Sequence, residues 1–221
     1  MSELLERIAL CCERGKTDKD APYPPDMKGE DGVDELTRQA IESGVSANDI
    51  LTQGLMPGMN RIGTKFSNNE AFVPDLLMAA KAMNAGMVRL KPFFDTGEAV
   101  HRGTIAIGTV QGDLHDIGKN LVRMILEGGG WKVIDLGVDT SAEKFLACME
   151  EHPGCAVGIS ALLTTTMMNM ESVVKTIKEK HPDAFVMVGG APLTQEFSDK
   201  IGADAYAPDP QAALDRLNNA A

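Results

Sequence analysis

The chain has 221 residues, 43% of them hydrophobic, with a formal net charge of −11. That length suits one large domain or two small ones. The acidic balance excludes nucleic acid, which needs a basic footprint, and disfavours an anionic membrane surface for the same reason.

Leu4, Leu5, Ile8 and Leu10 predict a first short helix. Gly15 to Gly32 is polar and carries Pro22, Pro24 and Pro25, so it reads as an ordered strap or a flexible arm. A helix returns from Val33 to Ser43 and stops at Gly44. Ser46 to Asp49 caps the next one, with Ile50, Leu51 and Leu55, and Pro57 opens a further turn with Met59, Ile62 and Phe66. Pro74 starts a long helix to about Phe94, whose expected buried stripe is Leu76, Leu77, Ala80, Met83, Met87 and Leu90. These elements predict a helical bundle over 1–95, followed by a mobile linker over 95–103. Beyond it, apolar runs near 104–109, 131–135, 155–159, 184–188 and 203–206 alternate with helical patterns near 117–129, 141–151, 167–180, 194–200 and 209–219. Such alternation predicts an α/β domain over 96–221: a flavodoxin-like (Rossmann-type), five-stranded parallel sheet.

Three strand ends carry side chains suited to chemistry. The first is followed by Asp113-x-His115-x-x-Gly118, the third by Ser160, Leu162, Thr164 and Thr166, and the fourth by Gly189-Gly190. In one parallel sheet they gather on the carboxyl edge, where open α/β folds hold ligands. Asp113 can hold one ring nitrogen of His115 and leave the other for a metal. Gly118 lets the backbone pass close to something bulky. Each feature alone reads as a cap, a turn or core packing; their joint occurrence points to a cofactor. The four cysteines, Cys11, Cys12, Cys148 and Cys155, lack metal-site spacing and read as reduced thiols. No signal-peptide pattern or apolar run of ~18 residues is seen, so a cytoplasmic location is expected. Neither a zinc site, a Ser/His/Asp triad nor a phosphate loop is apparent, and His101, His152 and His181 look incidental.

In Asp113-x-His115-x-x-Gly118, Ser160-x-Leu162 and Gly189-Gly190, in that order and spacing, the chain resembles the cobalamin-binding (corrinoid) proteins of methyl-transfer systems. These include the cap plus B12-binding domains of cobalamin-dependent methionine synthase and the corrinoid proteins of methylamine, methanol and O-demethylase systems. The resemblance runs from about Asp34 to the C-terminus; residues 15–32 match less well. It implies a cobalamin cofactor (methylcobalamin or a related corrinoid) whose cobalt is bound from below by His115 after its own base is displaced. The displaced tail would enter a slot bordered by Gly118, Gly189 and Gly190, with Ser160, Leu162 and Thr164 among its contacts. Asp113 and Thr166 would complete a relay in which proton uptake follows cobalt oxidation state. The stretch from Gly58 to Phe66 and from Phe72 to Leu76 also matches, and by that likeness Phe66, Val73 and Leu76 of the helical cap shield the reactive face.

The expected function is therefore a corrinoid methyl carrier in one-carbon metabolism. A donor-specific methyltransferase would load it, and a second methyltransferase would pass the methyl group to tetrahydrofolate or a thiol. A reductive activator protein would rescue oxidised cobalt. Donor specificity would lie mainly in the partner enzyme; the Pro-containing segment after the first helix leans toward an O-demethylase system for methoxylated aromatics. Two other readings stay open: the small subunit of a cobalamin-dependent mutase, and a B12-binding sensor or regulatory module.

Overall fold

A computed structural model describes residues 2–220, which divide into two compact units. One runs to His101 and includes Gly128–Gly130; the other comprises Arg102–Glu127 and the chain from Trp131 onward.

The first unit is helical. Helix α1 (Ser2–Glu13) is followed by α2 (Val33–Glu42), then α3 (Ala47–Asp49), a wider π-helical stretch over Ile50–Leu55, α4 (Met56–Ser67) and α5 (Val73–Asp95). Residues 47–67 are one uninterrupted helical run where the sequence predicts a break at Pro57. Proline lacks an amide proton, and the change of helical register directly before it absorbs the lost bond. On α5 the buried stripe is Leu76, Ala79, Ala82, Met83, Gly86 and Leu90. Leu77, expected inside, is exposed. The true stripe runs at the 3- and 4-residue spacing from Leu76 through small residues that let α2 and α4 approach closely.

Residues 15–32 form the ordered strap. Main-chain amides of Val33 and Asp34 donate to the carbonyls of Lys16 (3.0 Å) and Thr17 (2.9 Å), and the fully buried Lys16 donates through Nζ to the Ala21 carbonyl at 2.9 Å. Burying a lysine is tolerable only when its ammonium keeps such a partner. At the other end of α5, the Ala99 amide donates to Phe93 O at 3.1 Å and the rings of Phe94 and His101 stack at 4.6 Å. The expected linker is thus tied back onto the helix that precedes it.

The second unit is a parallel five-stranded sheet. Its strands are β1 (Thr104–Thr109), β2 (Lys132–Asp135), β3 (Ala156–Ser160), β4 (Val186–Gly189) and β5 (Ala205–Ala207), in the order β2-β1-β3-β4-β5. Helices α6 (Ile117–Gly128), α7 (Ala142–Glu151), α8 (Thr164–Lys180), α9 (Gln195–Ile201) and α10 (Pro210–Ala220) alternate with them. Val157, Ile159, Val186 and Val188 lie on one face against Phe145 of α7, Met170 and Val174 of α8 and Ile201 of α9. Ile105, Ile107 and Met187, one residue out of step, serve the opposite face and are equally buried. Valine and isoleucine dominate because their branched side chains suit strands covered on both sides. Among the described residues, no helix is long and apolar enough to cross a membrane.

The strand order places the topological switch between β1 and β3, where the chain turns outward in both directions and opens a crevice at their carboxyl ends. Register puts Thr109, Ser160, Gly189 and Ala207 abreast in one row along that edge.

Candidate functional site

Asp113 sits in the loop between β1 and α6 with no solvent exposure, whereas the His115 side chain beside it is 49% exposed. The two are joined by a 2.7 Å contact from His115 Nδ1 to Asp113 Oδ1. The same oxygen accepts the His115 main-chain amide at 3.0 Å. Its partner, Oδ2, accepts the Leu162 amide at 2.8 Å, the Leu163 amide at 3.3 Å and the Thr166 hydroxyl at 2.7 Å. Burial alone would push the carboxyl upward in pKa. The donors from Leu162, Thr166 and His115 outweigh it and hold Asp113 well below the usual carboxylate range.

An ionised carboxylate only accepts. It follows that Nδ1 of His115 carries the proton, and that the neutral ring keeps its free lone pair on Nε2. The half-exposed imidazole is held at one end and chemically available at the other. The Thr166 hydroxyl also lies 2.9 Å from Leu163 O, but its single proton goes to the charged acceptor.

Asp113 belongs to the loop after β1, while its amide donors lead into α8 after β3. The carboxylate therefore spans the switch point and supplies the start of α8 with an acceptor that Leu163, the residue at its N-cap, cannot offer. The sequence predicts α8 to begin near Met167, with Thr164 and Thr166 before it as caps. The helix instead starts at Thr164, which is exposed, and Thr166 is buried in the first turn.

The remaining expected residues fall as follows. Ser160 ends β3 and is half-buried. Leu162 and Leu163 are exposed beside the pair, as are Leu114 in the loop after β1 and Ile117 at the start of α6. Gly118 is the second residue of α6, and a Cβ there would meet open space. The glycine pair is different. Gly190 has a φ of +132°, and a Cβ on it would run into the carbonyl of Ala161. On Gly189 a Cβ would lie 2.9 Å from Ala207 O. The protein's own backbone therefore requires both glycines, a reason the sequence reading lacked. In the helical unit Phe66 is half-buried, Val73 is exposed and Leu76 is fully buried in the α5 stripe.

Sequence reasoning missed the two amides on Asp113, the Thr109 hydroxyl that donates to His115 O at 2.8 Å, and Asp139, which accepts the Gly112 amide at 2.8 Å. The available signal was Gly137-Val-Asp139-Thr140, a glycine and two polar residues shortly after a strand.

Comparison with known proteins identifies the family. The B12 binding domain family matches residues 103–215, and a second B12 binding domain model matches residues 29–91. A corrinoid protein of Desulfitobacterium hafniense is 40% identical over 194 residues, covering 86% of this chain and 90% of that protein. The trimethylamine corrinoid protein of Methanosarcina barkeri is 37% identical, covering 85% and 88%. Among solved structures, the methanol:cobalamin methyltransferase complex MtaBC from Methanosarcina barkeri matches with a TM-score of 0.81 and 28% identity, over 98% of this chain and 79% of that one. The chain belongs to the corrinoid-protein family, the B12-binding proteins of methyltransferase systems.

Proposed function

We propose that this protein is a methyl carrier that binds cobalamin through His115. When bound, the corrinoid supplies a cobalt centre that accepts a methyl group from one partner enzyme and yields it to another. The supporting observation is the half-exposed imidazole whose Nδ1 is pinned by a buried, ionised carboxylate. A single imidazole suits a metal that arrives already held by a macrocycle, and the Asp113 bond raises its basicity as a ligand. Asp113 fixes the tautomer, and the Thr166 hydroxyl shares its proton with Oδ2 at 2.7 Å. The Ser160 hydroxyl is assigned to the cofactor's tail, and open space at Gly118 gives that tail room. Leu114, Ile117 and Leu162 offer apolar surface to the corrin periphery. The helical unit is assigned as the cap, with Phe66 and Val73 as shielding residues.

Two methyltransferases and a reductive activator complete the cycle, with tetrahydrofolate or a thiol as acceptor. The donor belongs to the class of small methylated compounds. The names of the relatives, which speak of trimethylamine, dimethylamine and methanol, favour an amine or alcohol donor. The aryl-ether O-demethylase reading rests on the Pro-containing segment over residues 15–32 alone. The mutase-subunit and sensor readings gain no specific support.

The test is spectroscopic. Wild-type protein loaded with hydroxocobalamin should give a base-off, histidine-ligated spectrum, and His115→Ala should abolish that signature while retaining some corrinoid. An identical spectrum in the variant would exclude His115 as the ligand.

A further inference from the structure

The His115 ring is held by one side-chain contact and is half exposed, so packing does not place it. Its position is inherited from the main chain over 111–116, a loop that leaves β1 and has no regular structure until α6 begins. Apart from Asp113's own bonds, the bonds to α6 and the Asn169 side chain of α8, which donates to Gln111 O at 2.8 Å, the anchors on that loop lead to the segment after β2 or to Thr109. Asp139 makes two of them. Its Oδ1 accepts the Gly112 amide at 2.8 Å, and its own amide donates to Asp113 O at 3.0 Å. Thr109 is bound into the same segment, donating its amide to Gly137 O and accepting that of Thr140, both at 2.9 Å. At the far end of the loop, Lys119 of α6 is 4% exposed and donates through Nζ to both oxygens of Asp135 at 2.6 Å.

Asp139 adopts a φ of +50°, a left-handed conformation that glycine takes at no cost and most other residues avoid. An aspartate kept there trades backbone ease for a side chain that is in use. We infer that Asp139 is a positioning residue for His115: through Gly112 N–H and Asp113 C=O it fixes the backbone that aims Nε2. This rests on the reading of His115 as corrinoid ligand, since axial ligation tolerates misplacement of only about 0.5 Å.

The experiment uses the full chain with hydroxocobalamin as probe, and Asp139→Ala, Asp139→Gly and Asp139→Asn as variants. Asp139→Ala should weaken corrinoid retention about ten-fold, the worth of one well-oriented hydrogen bond, and lower the histidine-ligated fraction of the spectrum. Asp139→Gly relieves the backbone yet lacks the acceptor, so it should fail alike, whereas a merely structural role would predict improvement. Asp139→Asn keeps both an acceptor and tolerance of the left-handed region, so it should restore binding and spectrum. Nitrogen-15 NMR of His115 in the corrinoid-free protein gives an independent readout: one Nδ1-protonated tautomer in wild type and Asp139→Asn, a mixture in Asp139→Ala and Asp139→Gly. Unchanged tautomer and retention in Asp139→Gly would overturn the inference. A His115→Ala variant with an unaltered spectrum would instead remove the ligand reading, leaving the tautomer measurement to decide Asp139 alone.

Discussion

The two edges of the parallel sheet make an instructive contrast. At the amino edge lies a cleft of about 690 Å³, lined by Arg102, Trp131, Lys180, His181 and Phe185 among others. Helices α7 and α8 end there at His152 and His181, with Lys178 and Lys180 in the last turn of α8. Those cations offset the partial negative charge of helix carboxyl ends, and Lys178 is already engaged with Asp204 at 2.6 Å. At the carboxyl edge a buried carboxylate collects five donor contacts and directs a half-exposed imidazole. Room alone does not mark a site; the candidate at the carboxyl edge stands out instead by oriented, fully satisfied charge beside an open lone pair.

Substitutions at the two edges can break or sharpen that contrast. The largest effect is expected at Gly190. Gly190→Ala meets both a left-handed φ and the Ala161 carbonyl, so urea unfolding should show a loss on the order of 3–5 kcal/mol as strain and overpacking add. Normal stability there would mean that the backbone requirement is false. Next comes Asp113→Asn, which leaves several donors short of a charged acceptor and should cost about 1–3 kcal/mol at neutral pH. Because the folded-state pKa of Asp113 is depressed, its contribution is complete above the ordinary carboxylate range near pKa ~3.9. It declines as pH falls below about 4. Wild type and Asp113→Asn should therefore converge in acid, and a gap that persists or widens there would contradict the assignment.

Gly118→Ala separates folding from binding. With open space around the added methyl, the helix should hold or gain up to about 1 kcal/mol, while retention of hydroxocobalamin falls. Equal retention would argue against a tail at this position. The smallest effects belong to the amino edge: Lys180→Ala should change stability by less than about 0.5 kcal/mol and leave corrinoid uptake untouched. A clear loss of uptake would show that the two edges are not functionally distinct.

Much of the architecture was legible because strand and helix patterning is local. β1 covers the expected 104–109, and the other strands lie within two residues of their expected bounds at each end. Asp113 and His115 were legible for the same reason, being two residues apart on one loop. What escaped depends on distant chain segments. The start of α8 lies three residues earlier than expected because its lead-in amides bind a carboxylate 49 residues away, so the local threonines need not serve as caps. The reason for Gly190 is a carbonyl from the neighbouring strand's loop, which no inspection of residues 186–192 reveals. The left-handed Asp139 was missed because aspartate, unlike glycine, does not advertise that conformation.

The carboxylate shared across the switch point has a consequence for engineering. Transplanting the histidine loop by itself into another flavodoxin-like host would strand Asp113 without its amides and hydroxyl from the β3 side. An acid so deprived would take up a proton in the dry interior, and the ring above it would lose its enforced tautomer. The histidine is portable only as a pair of loops.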